Sequence, residues 1–152
     1  MLTAKGKYGL KAMTHLARLA PGEIAQVSEI AEANSIPKKF LDQIFSELRK
    51  AGFVFSKKGK AGGYALAKEA SSINVGDIVR VLDGPLAPIP CASVTAYRAC
   101  DDCDCGECEV RAIMVEVRNA ISVVLDNRTL AQFAGLKSTR RRVDTTRASV
   151  AA

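Results

Sequence analysis

Residues 36–68 read "IPKKFLDQIFSELRKAGFVFSKKGKAGGYALAK", and two different periods lie side by side in them. Phe40, Leu41, Ile44, Phe45 and Leu48 recur at helical spacing, which predicts a helix from Pro37 to Lys50 with those five side chains on its buried face. Pro37 suits the first turn of such a helix, and Gly52 suits the position just past its end. Beyond Gly52 the apolar residues cluster as Phe53-Val54-Phe55 and Tyr64-Ala65-Leu66 around a glycine- and lysine-rich tip, the pattern of a β-hairpin.

Working outward, "QVSEIAEANSI" (26–36) predicts a short helix with Ser28 as N-cap, Ile30 and Ala31 inside and Asn34 in the last turn. Residues 4–20 predict an amphipathic helix with Tyr8, Met13, Leu16, Ala17 and Leu19 on one face, ended by Pro21-Gly22. "NVGDIVRVLDG" (74–84) predicts a further short helix capped by Asn74, after which Pro85, Pro88 and Pro90 mark a linker. "EVRAIMVEVRNAISVVL" (109–125) is a long helix whose Val110, Ile113/Met114, Val117, Ala120/Ile121 and Val124 make a near-heptad stripe. There is no internal repeat.

Two short helices joined by a tight turn and followed by a lysine-tipped hairpin define a winged helix-turn-helix. The fold class expected is therefore mainly α with a small β-hairpin wing, extended by a long C-terminal dimerisation helix. Four segments are expected: a DNA-binding unit 1–84, a proline-led cysteine loop 85–108, a dimerisation helix 109–132, and a basic, disordered tail 133–152. The outer face of the second helix carries Lys38, Lys39, Asp42, Gln43 and Ser46. Recognition helices read base edges from their N-terminal part, and a glutamine amide suits adenine. Lys38 and Lys39 can also neutralise phosphates, as can Lys57, Lys58 and Lys60 on the glycine-rich tip.

Charge supports this division. Residues 1–66 hold eleven Lys or Arg against five acids, residues 85–110 one against five, and residues 135–152 five against one. The first segment suits a polyanion such as double-stranded DNA, whereas the acidic loop would repel it. No apolar run approaches a membrane span, and "MLTAKGKYGLKAMTHLARLA" lacks the pattern of a signal peptide, so a cytoplasmic location with reduced thiols is expected. His15, the single histidine, reads as an ordinary helix residue.

The loop itself contains "CDDCDCGEC" (100–108), with Cys91 upstream. Cys91, Cys100, Cys103 and Cys108 are separated by eight, two and four residues, and Cys105 adds an alternative. Such a set suits an iron–sulfur cluster or zinc, both held by thiolates, or a thiol switch. Asp101, Asp102, Asp104 and Glu107 are expected to keep the loop solvated and to tune its potential. An enzyme is not expected: Cys100-x-x-Cys103 lacks the βαβ context of a thiol oxidoreductase, and no Ser/His/Asp set or phosphate loop is present. A zinc-stabilised protein-interaction module is the reading from another class.

"LTAKGKYGLKAM", "IPKKFLDQIFSELRKAGFVFSKKGKAGGYALAK" and the cysteine loop before a long helix resemble the Rrf-two-type family of winged-helix transcription regulators, which contains IscR, NsrR, RirA and CymR. The resemblance covers residues 1 to about 132. It implies a homodimeric, operator-binding regulator whose long helix crosses to the partner subunit. In cluster-binding members three cysteines ahead of that helix hold a 2Fe–2S or 4Fe–4S cluster that senses iron, redox state or nitric oxide. By resemblance, Lys38, Lys39, Asp42 and Gln43 occupy the base-reading stretch, and Lys58 the place of a wing residue entering the minor groove. Matched by order, Cys91 and Cys108 are the first and third ligands, and the second is Cys100 or Cys103, with Cys103 preferred. The family's histidine ligand falls at about Arg111, and its acidic ligand near Lys7, neither of which can bind metal. The simplest fourth ligand is therefore Cys100 or Cys105. Zinc, or a thiol switch without a cluster, is the alternative within the same fold.

Overall fold

A computed structural model describes residues 2–104 and 106–135. Helix α1 (Ala4–Ala17) leads into α2 (Val27–Asn34) and α3 (Lys38–Lys50). The hairpin β1 (Val54–Lys57) and β2 (Gly63–Leu66) follows, then α4 (Val75–Asp83), α5 (Glu109–Asp126) and the short α6 (Leu130–Phe133). The strands pair antiparallel in the register Val54↔Leu66 to Lys57↔Gly63. The mainly helical fold with a hairpin wing agrees with the sequence expectation.

The core lies where α1, α3 and α4 meet. Met13, Leu41, Ile44, Phe45, Leu48 and Ile78 are buried there, with Ile30 from α2. One expected core residue is outside it: Phe40 is 43% exposed and meets Tyr8 edge-on, with ring centroids 5.5 Å apart. Leu41 and Ile44 define the centre of the buried face, and Phe40 stands at its rim.

The turn between α2 and α3 places the second helix. Ser35 takes a left-handed conformation (φ 53°) and donates its N–H to Glu32, while buried Ile36 anchors the turn. Pro37 stands at the N-cap of α3, one position before the helix. The cap of α2 is Gln26 rather than Ser28, because Glu29 reaches back to the Gln26 N–H at 2.8 Å and completes a capping box. Likewise α1 ends at Ala17 instead of continuing to residue 20, with the Arg18 N–H closing onto the His15 carbonyl.

The wing is seated on the helices rather than projecting alone. Tyr64 and Ala25 exchange both backbone hydrogen bonds (3.0 and 2.8 Å), and the Tyr64 ring stacks on Phe45 at 4.4 Å. At Gly63 a Cβ would overlap the Ala25 carbonyl oxygen, so this close approach requires glycine. The tip is tied by Gln26, whose Nε2 donates to the Lys60 carbonyl at 3.1 Å.

The long helix ends at Asp126, short of the expected 132, because the chain turns back. The Val75 N–H donates to the Arg128 carbonyl, and the Leu130 N–H to the Ile73 carbonyl. Leu130 is fully buried, and Thr129 and Gln132 form a capping box for α6. Residues 133–135 thus belong to the folded body, where the Arg18 side chain donates to the Ala134 carbonyl at 3.1 Å. The remainder of the expected tail, 136–152, lies outside the described residues, as does Cys105. Among the described residues no helix is long and apolar enough to cross a membrane.

Candidate nucleic-acid interface and cysteine centre

Lys38 and Lys39 stand exposed in the first turn of α3, with Asp42 and Gln43 exposed one turn on and Ser46 half-buried behind them. An N-terminal helix turn offers unpaired N–H groups, so two lysines there reinforce an anion site. Lys57, Lys58 and Lys60 are exposed on and beyond the wing strand, and Gly59 makes the tip turn at φ 111°. Arg49 at the end of α3 reaches Ser56 Oγ at 3.4 Å, linking helix and wing. Together these groups form a cationic surface on α3 and the hairpin.

One residue of this face was not anticipated. Glu47 accepts from Gln43 Nε2 at 3.2 Å and from Lys5 Nζ at 3.0 and 3.2 Å. Lys5 therefore offsets one of the two acids of α3, the other being Asp42, and Glu47 holds the Gln43 amide along the helix. The i, i+4 spacing of Gln43 and Glu47 was the available signal.

The cysteine centre begins at the turn Pro90–Ala92, where Cys91 is 1% exposed. Cys100, half-buried, hydrogen-bonds to the thiols of Cys91 and Cys103, which pushes its pKa up from 9.0 to about 12, with burial and the neighbouring sulfurs' charge adding to the shift. The thiol is thus protonated at neutral pH. Cys100 Sγ, Cys103 Sγ and a carboxylate oxygen of Asp102 all lie within 4.8 Å of one another. Cys91, Cys100, Cys103 and Cys108 are reduced thiols.

Cys108 stands apart from that group as the N-cap of α5, its Sγ accepting the Arg111 N–H at 3.4 Å. The same Arg111 donates from Nε to the Cys91 carbonyl at 2.9 Å. Two turns further, Arg118 Nη1 donates to the Ala92 carbonyl at 2.6 Å. At the other end of α5, Asp126 takes both nitrogens of Arg80 at 2.8 and 2.7 Å, and this pairing raises the Arg80 pKa further. The helix is thereby tied to the cysteine turn at one end and to α4 at the other.

α5 has no buried residue. Val110 (60%), Ile113 (49%), Val117 (37%) and Val124 (61%) are exposed along one stripe of it. The donor set suits a thiophilic metal: the sulfurs of Cys100 and Cys103 and a carboxylate oxygen of Asp102 converge, with Cys91 hydrogen-bonded to Cys100, and thiolates are the usual ligands of zinc and of iron–sulfur clusters.

Residues 2–135 match the model of the Rrf2 family, described as an iron-dependent transcriptional regulator. The chain is 43% identical over 134 residues to an rrf2-like HTH-type transcriptional regulator of Rhodobacter capsulatus, covering 86% of this chain and 89% of that one. It is 35% identical over 133 residues to the transcriptional regulator CymR of Bacillus subtilis, covering 88% of each. Among solved structures, CymR, the global cysteine regulator of B. subtilis, superposes with a TM-score of 0.73 at 33% identity, over 91% of this chain and 98% of that one. IscR of T. potens superposes with a TM-score of 0.70 at 32% identity, over 89% and 86%. The matched proteins are transcriptional regulators, not enzymes.

Proposed function

The chain belongs to the Rrf2 family of transcriptional regulators, and from that premise we propose a homodimer that binds operator DNA under the control of a metal cofactor on its cysteine loop. In this reading residues 1–84 are the DNA-binding unit, 85–108 the sensor, 109–132 the dimerisation segment and 133–152 an appended tail, in a cytoplasmic protein. Lys38, Lys39, Asp42, Gln43 and Ser46 read the major groove, and Lys57, Lys58 and Lys60 engage phosphates and the minor groove. The dimer forms along Val110, Ile113, Val117 and Val124, whose exposure in the single chain is the coiled-coil pattern awaiting a partner.

The cofactor in this reading is an iron–sulfur cluster. Its ligands are Cys91, Cys103 and Cys108, with Cys100 or Cys105 as the fourth. Bound there, a cluster would supply sensitivity to iron supply, redox state or nitric oxide. The observation that carries the proposal is the pair of arginine contacts from α5 to the Cys91 turn. Movement of the Cys91 and Ala92 carbonyls pulls on Arg111 and Arg118, and hence on the dimer helix. A dimer reads two half-sites about 34–36 Å apart, so a change in α5 tilt alters the match between recognition helices and operator. Zinc is the second reading, favoured by the compactness of Cys100, Asp102 and Cys103.

The test is purification without oxygen. A brown protein containing iron and inorganic sulfide, which loses colour on Cys91→Ser, Cys103→Ser or Cys108→Ser, supports the cluster. Ser at 100 or at 105 should leave at least one coloured variant. A colourless parent with stoichiometric zinc moves the assignment to zinc. Failure to bind any operator selected from random DNA ends the regulator reading.

A further inference from the structure

The loop contains four carboxylates, and charge tuning was the only role expected of them. Their positions are not equivalent. Of the four, Asp102 alone places an oxygen within 4.8 Å of two thiol sulfurs that themselves lie within 4.8 Å of each other. Asp104 is committed elsewhere: its carboxylate accepts the Gly106 N–H at 3.0 Å and its carbonyl accepts the Glu107 N–H at 3.2 Å. The third sulfur is Cys91, hydrogen-bonded to Cys100 from a nearly inaccessible position.

We propose that Asp102 is a metal ligand, binding a single thiophilic divalent centre together with Cys100 and Cys103. This rests on the reading that the loop carries a metal. Tetrahedral coordination at 2.3 Å to sulfur and 2.0–2.2 Å to oxygen sets donors roughly 3.5–3.8 Å apart. Cys100, Asp102 and Cys103, whose donor atoms lie within 4.8 Å of one another, need close by only about 1 Å to reach it. On binding, each coordinating thiol releases its proton to solvent, and the Asp102 carboxylate binds as it stands. Asp102 can serve a lone cation beside both thiolates, or a cluster as a terminal ligand of one iron.

The experiment is a Co²⁺ titration of reduced, chelator-stripped full-length protein, read by visible absorption. The parent should take one Co²⁺ per chain, with a tetrahedral ligand-field band and thiolate-to-cobalt charge transfer. Loss of residues that merely support ligands costs about 10–100-fold in metal affinity, so Asp102→Asn should cost at least about tenfold and change the ligand-field band. Asp102→Cys should restore affinity and intensify the charge transfer by one further thiolate. Asp101→Asn, an identical charge change next door, should leave both unaltered. Acid-labile sulfide in the protein as isolated separates a cluster iron from a lone cation, and the Asp102 variants must perturb the spectrum of either. Equal losses in Asp101→Asn and Asp102→Asn would reduce Asp102 to a source of charge and overturn the ligand. So would unchanged binding by Asp102→Asn alongside loss of cobalt in Cys103→Ser, with the metal reading left standing. A parent that takes up neither cobalt nor zinc nor iron sinks both.

Discussion

Ile113→Asp should split the dimer without unfolding the chain. Ile113 sits mid-stripe on α5 and is 49% exposed in the single chain, so roughly half of its side chain remains to be covered by a partner. Burying a whole isoleucine is worth about 1.5–3 kcal/mol, so the uncovered half contributes about 1 kcal/mol per copy and about 2 kcal/mol per dimer. With 1.4 kcal/mol per factor of ten, the dimer Kd rises on the order of 30-fold from lost burial alone. A carboxylate on the apolar seam adds to that. Sedimentation over a concentration series measures the shift, and circular dichroism checks that the helical content survives. A folded variant that dimerises like the parent would show that α5 is not the seam. A variant that loses its secondary structure would show that Ile113 supports the single chain, contrary to its exposure.

Three further outcomes test other parts of the structure. Gly63→Ala forces a Cβ into the Ala25 carbonyl and should destabilise the domain by about 1–3 kcal/mol, seen as a thermal midpoint several degrees lower. Lys58→Ala should weaken operator binding and lower its salt slope by about one phosphate contact, whereas Gln43→Ala should relax base preference at one position at a cost of about 1–3 kcal/mol, both read by binding assays at several salt concentrations. Asp126→Asn breaks the paired contact with Arg80, which is partly exposed, and should cost about 1 kcal/mol in chemical unfolding.

The helix-turn-helix was legible because its residues obey simple periods. Leu41, Ile44, Phe45 and Leu48 are all fully buried as their spacing requires, and the glycines and lysines after residue 56 mark the wing tip. Phe40 shows the limit of a period: it fixes the direction of a face, and its width depends on what Tyr8 and α1 leave uncovered. The α2 cap and α6 were missed although both carry a signal. Gln26-x-x-Glu29 and Thr129-x-x-Gln132 are capping boxes, but the first was masked by a nearby Ser28 and the second lay in a segment read as a continuous helix and tail. The loop offered no period at all. Among the described residues between Pro85 and Cys108 the only regular element is one turn at Pro90–Ala92, so which thiols meet depends on tertiary closure of an irregular chain. Spacing gave the chemistry of the donors, while the proximity of Cys100 to both Cys91 and Cys103 came only with the fold.

The manner in which α5 is attached supports the proposed control of it by the loop. A helix fixed by a buried stripe moves only if a core is repacked, but α5 has no buried residue, and Leu125 alone of its side chains packs against the core among the described residues. What holds it is polar and local: Arg111 to Cys91, Arg118 to Ala92, and Asp126 to Arg80. Hydrogen bonds of this kind contribute about 0.5–1.5 kcal/mol each, rising to about 1.5–3 when charged, so the two arginine contacts to the Cys91 turn are worth a few kcal/mol together. That is comparable to the 1–3 kcal/mol typical of allosteric coupling. The carbonyls that anchor the arginines belong to Cys91 and its neighbour, so any reorganisation of the thiols acts on the helix without an intermediate relay. Polar contacts thus hold α5 at the Cys91 turn and at Asp126, and the exposed apolar stripe proposed as the dimer seam lies between them, where a displacement at the loop end would be felt.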